Sequence, residues 1–259
     1  MTVHPKKYLG QHFLKDALIA ERIVSFLSPA KNILEIGPGK GILTQFLFGI
    51  ENSHVKIIEI DGEAVQHLIK IFPGKSRDII QGDFLKMNLE NIFSEPFTII
   101  GNFPYNISSQ IVFRVLENKN RVPEVIGMFQ REVAERIVSP PGNKSYGILS
   151  VLTQAFYETE IVLTLNEDDF SPPPQVKSAV VRMKRKYENK LRSDERIFFK
   201  VVKTAFNQRR KKLRNALASM IERNNDSKLP YLDLRAEALS WQKFDELTVA
   251  ITSMTDKII

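Results

Sequence analysis

Between residues 16 and 130 the apolar positions follow two alternating rhythms. Over 16–27, Leu18, Ile19, Ile23, Phe26 and Leu27 recur at the spacing of a helix that buries one face. The "NILEI" that follows is a continuous apolar run halted at Gly37, as in a buried strand, and "GILTQFLF" returns to the helical rhythm. "VKIIEI" and "EAVQHLIKIF" repeat the strand and the helix. After them come "RDIIQGD", the strand "FTIIGN", a helix from Ser108 to Leu116 and the strand "VIGMF". Strands that are apolar throughout, each joined to the next by a helix, predict a parallel sheet covered on both faces, an α/β fold. Sheets of this kind hold ligands beyond the carboxyl ends of their strands, so the chemistry is expected there.

The rhythm changes near Tyr187. From Ser193 onward apolar residues keep helical spacing ("RIFFKVVKTAF") with no strand-like alternation, and the polar stretch "KRKYENKLRS" reads as the join. Two domains follow: residues 1–186, the α/β unit, and residues 187–259, a small helical unit in which Trp241 and the pair Phe198–Phe199 read as core. "SPPP" at 171–174 fixes a rigid loop. Charge sharpens the division. The chain carries a net charge of +7, yet the 14 Lys and Arg between Arg182 and Arg214 face only 3 acids there. A solvated helix face mixes signs, whereas one-sided basicity suits a polyanionic partner. Within that span, "NQRRKKLRNAL" reads as a basic helix, with Leu213 and Leu217 on the packed face. Arg209, Arg210, Lys211, Lys212 and Arg214 are then candidate contacts to RNA phosphates.

Composition excludes several classes. With no cysteine there is neither disulfide nor thiolate metal site, and the four histidines are not spaced as zinc ligands, so no metal is expected. The 43% hydrophobic and 26% charged fractions are those of a globular protein. No apolar run reaches membrane-spanning length, and "MTVHPKKYLG" lacks the apolar core of a signal peptide. A cytoplasmic protein without a membrane partner is expected.

Four strand ends carry unusual residues. In "EIGPGKG", Gly37, Gly39 and Gly41 let the backbone turn sharply and a ligand approach closely, although such a turn also serves ordinary packing. Their spacing is not the Gly-x-Gly-x-x-Gly of dinucleotide binding. The second strand ends at Glu59, about twenty residues beyond the glycines, where an acid accepts hydrogen bonds from ribose hydroxyls. "QGD" supplies Asp83, able to accept from the amino group of an adenine. With no phosphate-binding lysine motif in view, this set suits a nucleoside cofactor without phosphates, and S-adenosylmethionine is such a molecule. The fourth end is "GNFPYNISS". Asn102 offers an amide acceptor, Pro104 has no N–H and so exposes backbone carbonyls, and Tyr105 offers a flat face for a base. Acceptors aimed at an exocyclic amino group hold its nitrogen in line with a methyl donor and stabilise the charge that develops.

Taken together, "PKKYLGQHFL", "EIGPGKG", "IIEID", "GD", "GNFPYNISS", "FSPPPQVKSAVVRM" and "KTAFNQRRKKLRNAL" resemble the bacterial small-subunit rRNA adenine N6,N6-dimethyltransferase family over nearly the whole chain. The resemblance implies a Rossmann-like class I methyltransferase domain with a helical C-terminal domain, acting as a monomer. It implies transfer of methyl groups from S-adenosylmethionine to two adjacent adenosines near the 3′ end of 16S rRNA in the 30S subunit, with a checkpoint role in subunit assembly. Carried over by position, His12, Leu14, Gly37, Gly39, Glu59, Asp83 and Asn102 would contact the cofactor. Asn102, Pro104 and Tyr105 would handle the target base, and Phe170 would supply a second aromatic face. Phe103 stands where the family often has leucine, and His12 where asparagine is common. Two other readings stay open from sequence: a related methyltransferase of a large-subunit adenine that confers macrolide resistance, and an RNA-binding assembly factor without catalysis.

Overall fold

The computed structural model describes residues 3–187, 191–221 and 229–255, so Glu188, Asn189 and Lys190 of the basic join lie outside the described residues. The sheet is built from β2 (Asn32–Ile36), β3 (His54–Glu59), β4 (Ile79–Gln81), β5 (Thr98–Asn102) and β6 (Glu124–Gln130), all paired in parallel. Across the sheet the order is β4-β3-β2-β5-β6, continued by β9 (Ser178–Arg185) and β7 (Tyr157–Leu165). β9 runs antiparallel to β6. From β2 the chain winds outward through β3 to β4, then returns to the other side of β2 to lay down β5 and β6. That reversal leaves a crevice between the carboxyl ends of β2 and β5, the place where such sheets bind ligands.

The helices follow from local sequence. α1 (Ala17–Ser25) starts at Asp16, whose side chain accepts from the Leu18 N–H. α3 (Gly62–Ile71) starts in the same way at Asp61, through the Glu63 N–H. Between them, α2 (Thr44–Leu47) is only four residues long. The helix expected over "GILTQFLF" shrinks because the glycine turn takes up its first residues. α4 (Ser108–Glu117) and α5 (Arg131–Val138) follow β5 and β6. Every residue of β2 is buried, and Ile33, Ile57, Ile100, Ile126 and Val180 from five neighbouring strands share one core. Each such side chain contributes roughly 1.5–3 kcal/mol by leaving water. The alternation read to residue 130 anticipates neither β7 nor β9, nor the small ribbon in which β1 (Phe13–Leu14) pairs antiparallel with β8 (Phe170–Ser171).

The chain divides into two compact units: residues 1–134 with 158–185, and residues 135–157 with 186–259. A boundary near 186 was expected; the inclusion of 135–157 in the helical unit was not. α6 (Ile148–Phe156) is buried on nearly every side, its polar Ser150 and Thr153 included, so a single packed face cannot satisfy it. It packs on both α7 (Glu195–Asn207) and α9 (Trp241–Thr255). Phe198, Val201, Val202 and Phe244 complete that core, with Phe206 and Phe244 at 5.9 Å between ring centroids. Phe199 and Trp241 are only partly buried; the Trp241 ring carries the Lys186 ammonium at 4.9 Å.

Candidate active site

The glycine turn takes the backbone where side chains cannot readily follow. Gly37 and Gly39 have φ of +68° and +56°. A Cβ on Gly39 would stand 2.6 Å from the Phe13 ring, so the turn and the N-terminal segment press together. The Gly39 N–H donates to one Glu59 oxygen at 3.0 Å, and the Asp61 N–H donates to the other at 2.9 Å. Glu59 therefore joins the glycine turn to the end of β3. Burial pushes its carboxyl above the ordinary carboxylate range, while those two N–H groups pull it back. Each oxygen keeps a lone pair for a ligand hydroxyl.

These groups face an open cavity beyond the strand ends. Asp83 stands on its wall, one oxygen taking the Leu85 N–H at 3.0 Å and the other 3.5 Å from the Lys86 ammonium. Asn102 closes β5. One of its side-chain N–H groups donates to the His12 carbonyl at 2.7 Å, and its carbonyl oxygen has no hydrogen-bond partner among the described residues, on a residue that lines the cavity. Phe103 is buried with its ring edge-on to Phe129 at 5.3 Å, and so anchors the turn from beneath. The Pro104 carbonyl accepts from the Ile107 N–H at 3.1 Å and keeps a second lone pair. The Tyr105 ring stacks on His12, centroids 5.3 Å apart and planes 23° apart, and its hydroxyl meets that of Ser178. The His12 Nδ1 lies 2.8 Å from the Pro172 carbonyl oxygen.

The N-terminal segment that closes the cavity is tied down by charge. The Lys6 ammonium lies 2.6 Å from a buried Asp61 oxygen. Burial alone would raise the Asp61 carboxyl; Lys6, the Glu63 N–H and Gln11 outweigh it and hold the group below its usual range. Beneath the site, Glu35 on β2 accepts from the Thr44 hydroxyl at 2.6 Å, and burial pushes its pKa up to about 8.

The structure thus brings Gly37, Gly39, Glu59, Asp83, Asn102, Pro104, Tyr105 and His12 to one cavity. It does not bring Leu14 or Phe170 there. The two are paired in the β1–β8 ribbon and buried in the core, so the second aromatic face expected of Phe170 is turned away from the cavity. The reason is alternation: in a two-residue strand one side chain must point inward, and Phe170 does while Ser171 is exposed. Sequence reasoning from the strand ends also missed Phe13, Lys6–Asp61 and Ser178. A pairing across more than fifty residues leaves no local pattern to read.

In the helical unit the basic run is a turn rather than a helix. Arg209, Arg210, Lys211 and Lys212 lie between α7 and the short α8 (Leu213–Ala216), with Leu213 and Leu217 buried as expected. Arg209 pairs with Glu237 at 2.8 Å and donates to the Lys144 carbonyl. Lys212 and Arg214 each lie 3.5 Å from Asp233. Arg210 and Lys211 are exposed, with no ion pair among the described residues.

Comparison with known proteins agrees with this geometry. The ribosomal RNA adenine dimethylase family matches residues 3–247. The chain belongs to that family. It is an rRNA adenine dimethyltransferase, with the Rossmann-like class I methyltransferase fold. A ribosomal RNA small subunit methyltransferase A of Cytophaga hutchinsonii is 53% identical to this dimethylase over 249 residues, 95% of this chain and 96% of the relative. Among solved structures, a dimethyladenosine transferase from Plasmodium falciparum superposes with a TM-score of 0.79, at 23% identity, over 94% of this chain and 98% of its own. The 23S rRNA methyltransferase ErmE gives a TM-score of 0.70 at 25% identity, over 93% of this chain and 99% of its own.

Proposed function

We propose that this dimethylase transfers methyl groups from S-adenosylmethionine to N6 of two adjacent adenosines near the 3′ end of 16S rRNA, acting as a monomer on the 30S subunit in the cytoplasm. The cavity fits that cofactor. Glu59 and Asp83 line it, and among the described residues no Lys or Arg does, so a phosphate-bearing nucleotide would meet carboxylates on the wall. Gly37 and Gly39 let the ligand lie against backbone, Glu59 takes ribose hydroxyls, and Asp83 takes the adenine amino group. Bound there, S-adenosylmethionine supplies an electrophilic methyl group.

The observation that carries the reading is the orientation of Asn102. With one amide N–H given to His12, the Asn102 carbonyl oxygen can accept one N6–H of the target adenine, and the Pro104 carbonyl can accept the other. The amino nitrogen is thereby held with its lone pair toward the methyl group, and the positive charge that grows on it meets two fixed dipoles. No general base is needed before the methyl arrives. Arg210 and Lys211 on the helical unit contribute phosphate contacts. The 53% identity with a small-subunit methyltransferase over nearly the full length supports the choice of 16S rRNA.

The test is transfer of labelled methyl, in parallel, to 30S subunits that lack the modification and to unmodified large-subunit RNA, followed by nucleoside analysis. N6,N6-dimethyladenosine at two adjacent positions is expected. Label appearing only on large-subunit RNA would replace this reading with the other adenine target.

A further inference from the structure

β9 is the strand that runs against the parallel set, so its first residue lies at the end of the sheet where the parallel strands finish. Ser178 is that residue. It pairs in register with Gln130 at the carboxyl end of β6, and it is fully buried. Its hydroxyl meets the hydroxyl of Tyr105, in a turn whose backbone is held through Asn102, the buried Phe103 and the Ser108 hydroxyl, which donates to the Tyr105 carbonyl. Burial raises the Tyr105 phenol above its ordinary range, so the ring stays neutral and retains its proton for this bond. One face of the same ring is covered by His12, whose backbone carbonyl is held by Asn102 and whose imidazole is held at Pro172.

We infer that Ser178 is a positioning residue for methyl transfer: by fixing the Tyr105 hydroxyl to the sheet, it sets the angle at which the ring meets the target base. The inference rests on the proposed reading of Tyr105 as the base's stacking surface. A ring held only by its stack on His12 can pivot about Cα–Cβ and Cβ–Cγ. A ring also held at its far end cannot, and a base lying on it keeps N6 within reach of Asn102. The hydroxyl therefore takes no part in chemistry, yet its loss reaches the reacting nitrogen through the angle of the ring.

The experiment is a double-mutant cycle on the full chain: wild type, Ser178→Ala, Tyr105→Phe and the double variant, by single-turnover methyl transfer at saturating unmethylated 30S subunits. Each single variant should slow the step about three- to tenfold, the worth of one neutral hydrogen bond. The double variant should be no slower than the slower single one, because both remove the same bond. S-adenosylmethionine affinity by calorimetry and subunit affinity should stay at the wild-type values in all three. Multiplying losses in the double variant would overturn the inference, as would a wild-type rate in Tyr105→Phe, which reports on the bond even if Ser178→Ala fails to fold. A loss that tracked cofactor affinity would do the same. If the wild type itself transfers no methyl, the proposed function falls first and takes the inference with it.

Discussion

At the scale of single residues, two side chains do double duty, and substitutions should show it. Asn102 holds His12 with its N–H and offers its oxygen to the substrate. Asn102→Ala should leave the fold intact and slow single-turnover transfer by at least about a hundredfold, the usual loss when one preorganised contact to a developing charge is removed. Asn102→Asp keeps an acceptor but sets a second oxygen against the His12 carbonyl, so it should also be slow; near-wild-type transfer by that variant would refute the orientation argued for Asn102. Glu59→Ala should weaken S-adenosylmethionine binding by roughly 1.5–3 kcal/mol, the worth of hydrogen bonds to a charged acceptor. It also strands the Gly39 and Asp61 N–H groups. Calorimetry with unchanged affinity in a folded variant would remove Glu59 from the site. These strand-end residues were legible in the sequence because a polar residue that stops an apolar run is conspicuous. Ser178 was not, since one serine at the start of a strand carries no signature.

Among elements, the divide falls between what is local and what is paired at a distance. The α/β alternation could be read because each strand and helix declares itself within ten residues. The ribbon joining Phe13–Leu14 to Phe170–Ser171 could not, and it removes Phe170 from the cavity wall. The basic run illustrates the opposite error. Leu213 and Leu217 were rightly read as buried, but helical spacing was extended over residues that form a turn. Its members should therefore behave differently. Replacing Arg210 and Lys211 together with alanine should weaken subunit binding and lower the slope of log K against log salt by about 1.5, two phosphates' worth of released counterions, at unchanged melting temperature. An unchanged slope would make them ordinary surface charge. Arg209→Ala should instead lower the melting temperature of the helical unit, because it breaks the Glu237 pair and the bond to the Lys144 carbonyl; the pair is part exposed, so the loss is within about 1 kcal/mol.

For the whole molecule, the buried acid under the site sets a dependence on pH. Burial keeps Glu35 protonated in the folded chain up to about 8, whereas its unfolded counterpart ionises in the ordinary carboxylate range, near 4.5. Between those two values the unfolded state has given up a proton that the folded state keeps, so this group makes stability fall as pH rises through that window. Glu35→Gln should flatten the fall, as measured by denaturant midpoints from pH 5 to pH 8. An identical slope in the variant would show that Glu35 is not its source. The distances along the chain between paired residues have a further effect, on the order of events during synthesis. The finished site needs His12 beside Tyr105, Phe13 across from Ser171, and Tyr105 against Ser178. The α/β unit is itself interrupted, its last strand arriving after residues 135–157 have been made. Ribosome-bound chains halted before β9 has emerged from the exit tunnel should hold a glycine turn and five parallel strands' worth of sequence without a competent pocket. Their ability to bind S-adenosylmethionine should appear late and abruptly as β8 and β9 emerge and seat the N-terminal segment, rather than growing strand by strand.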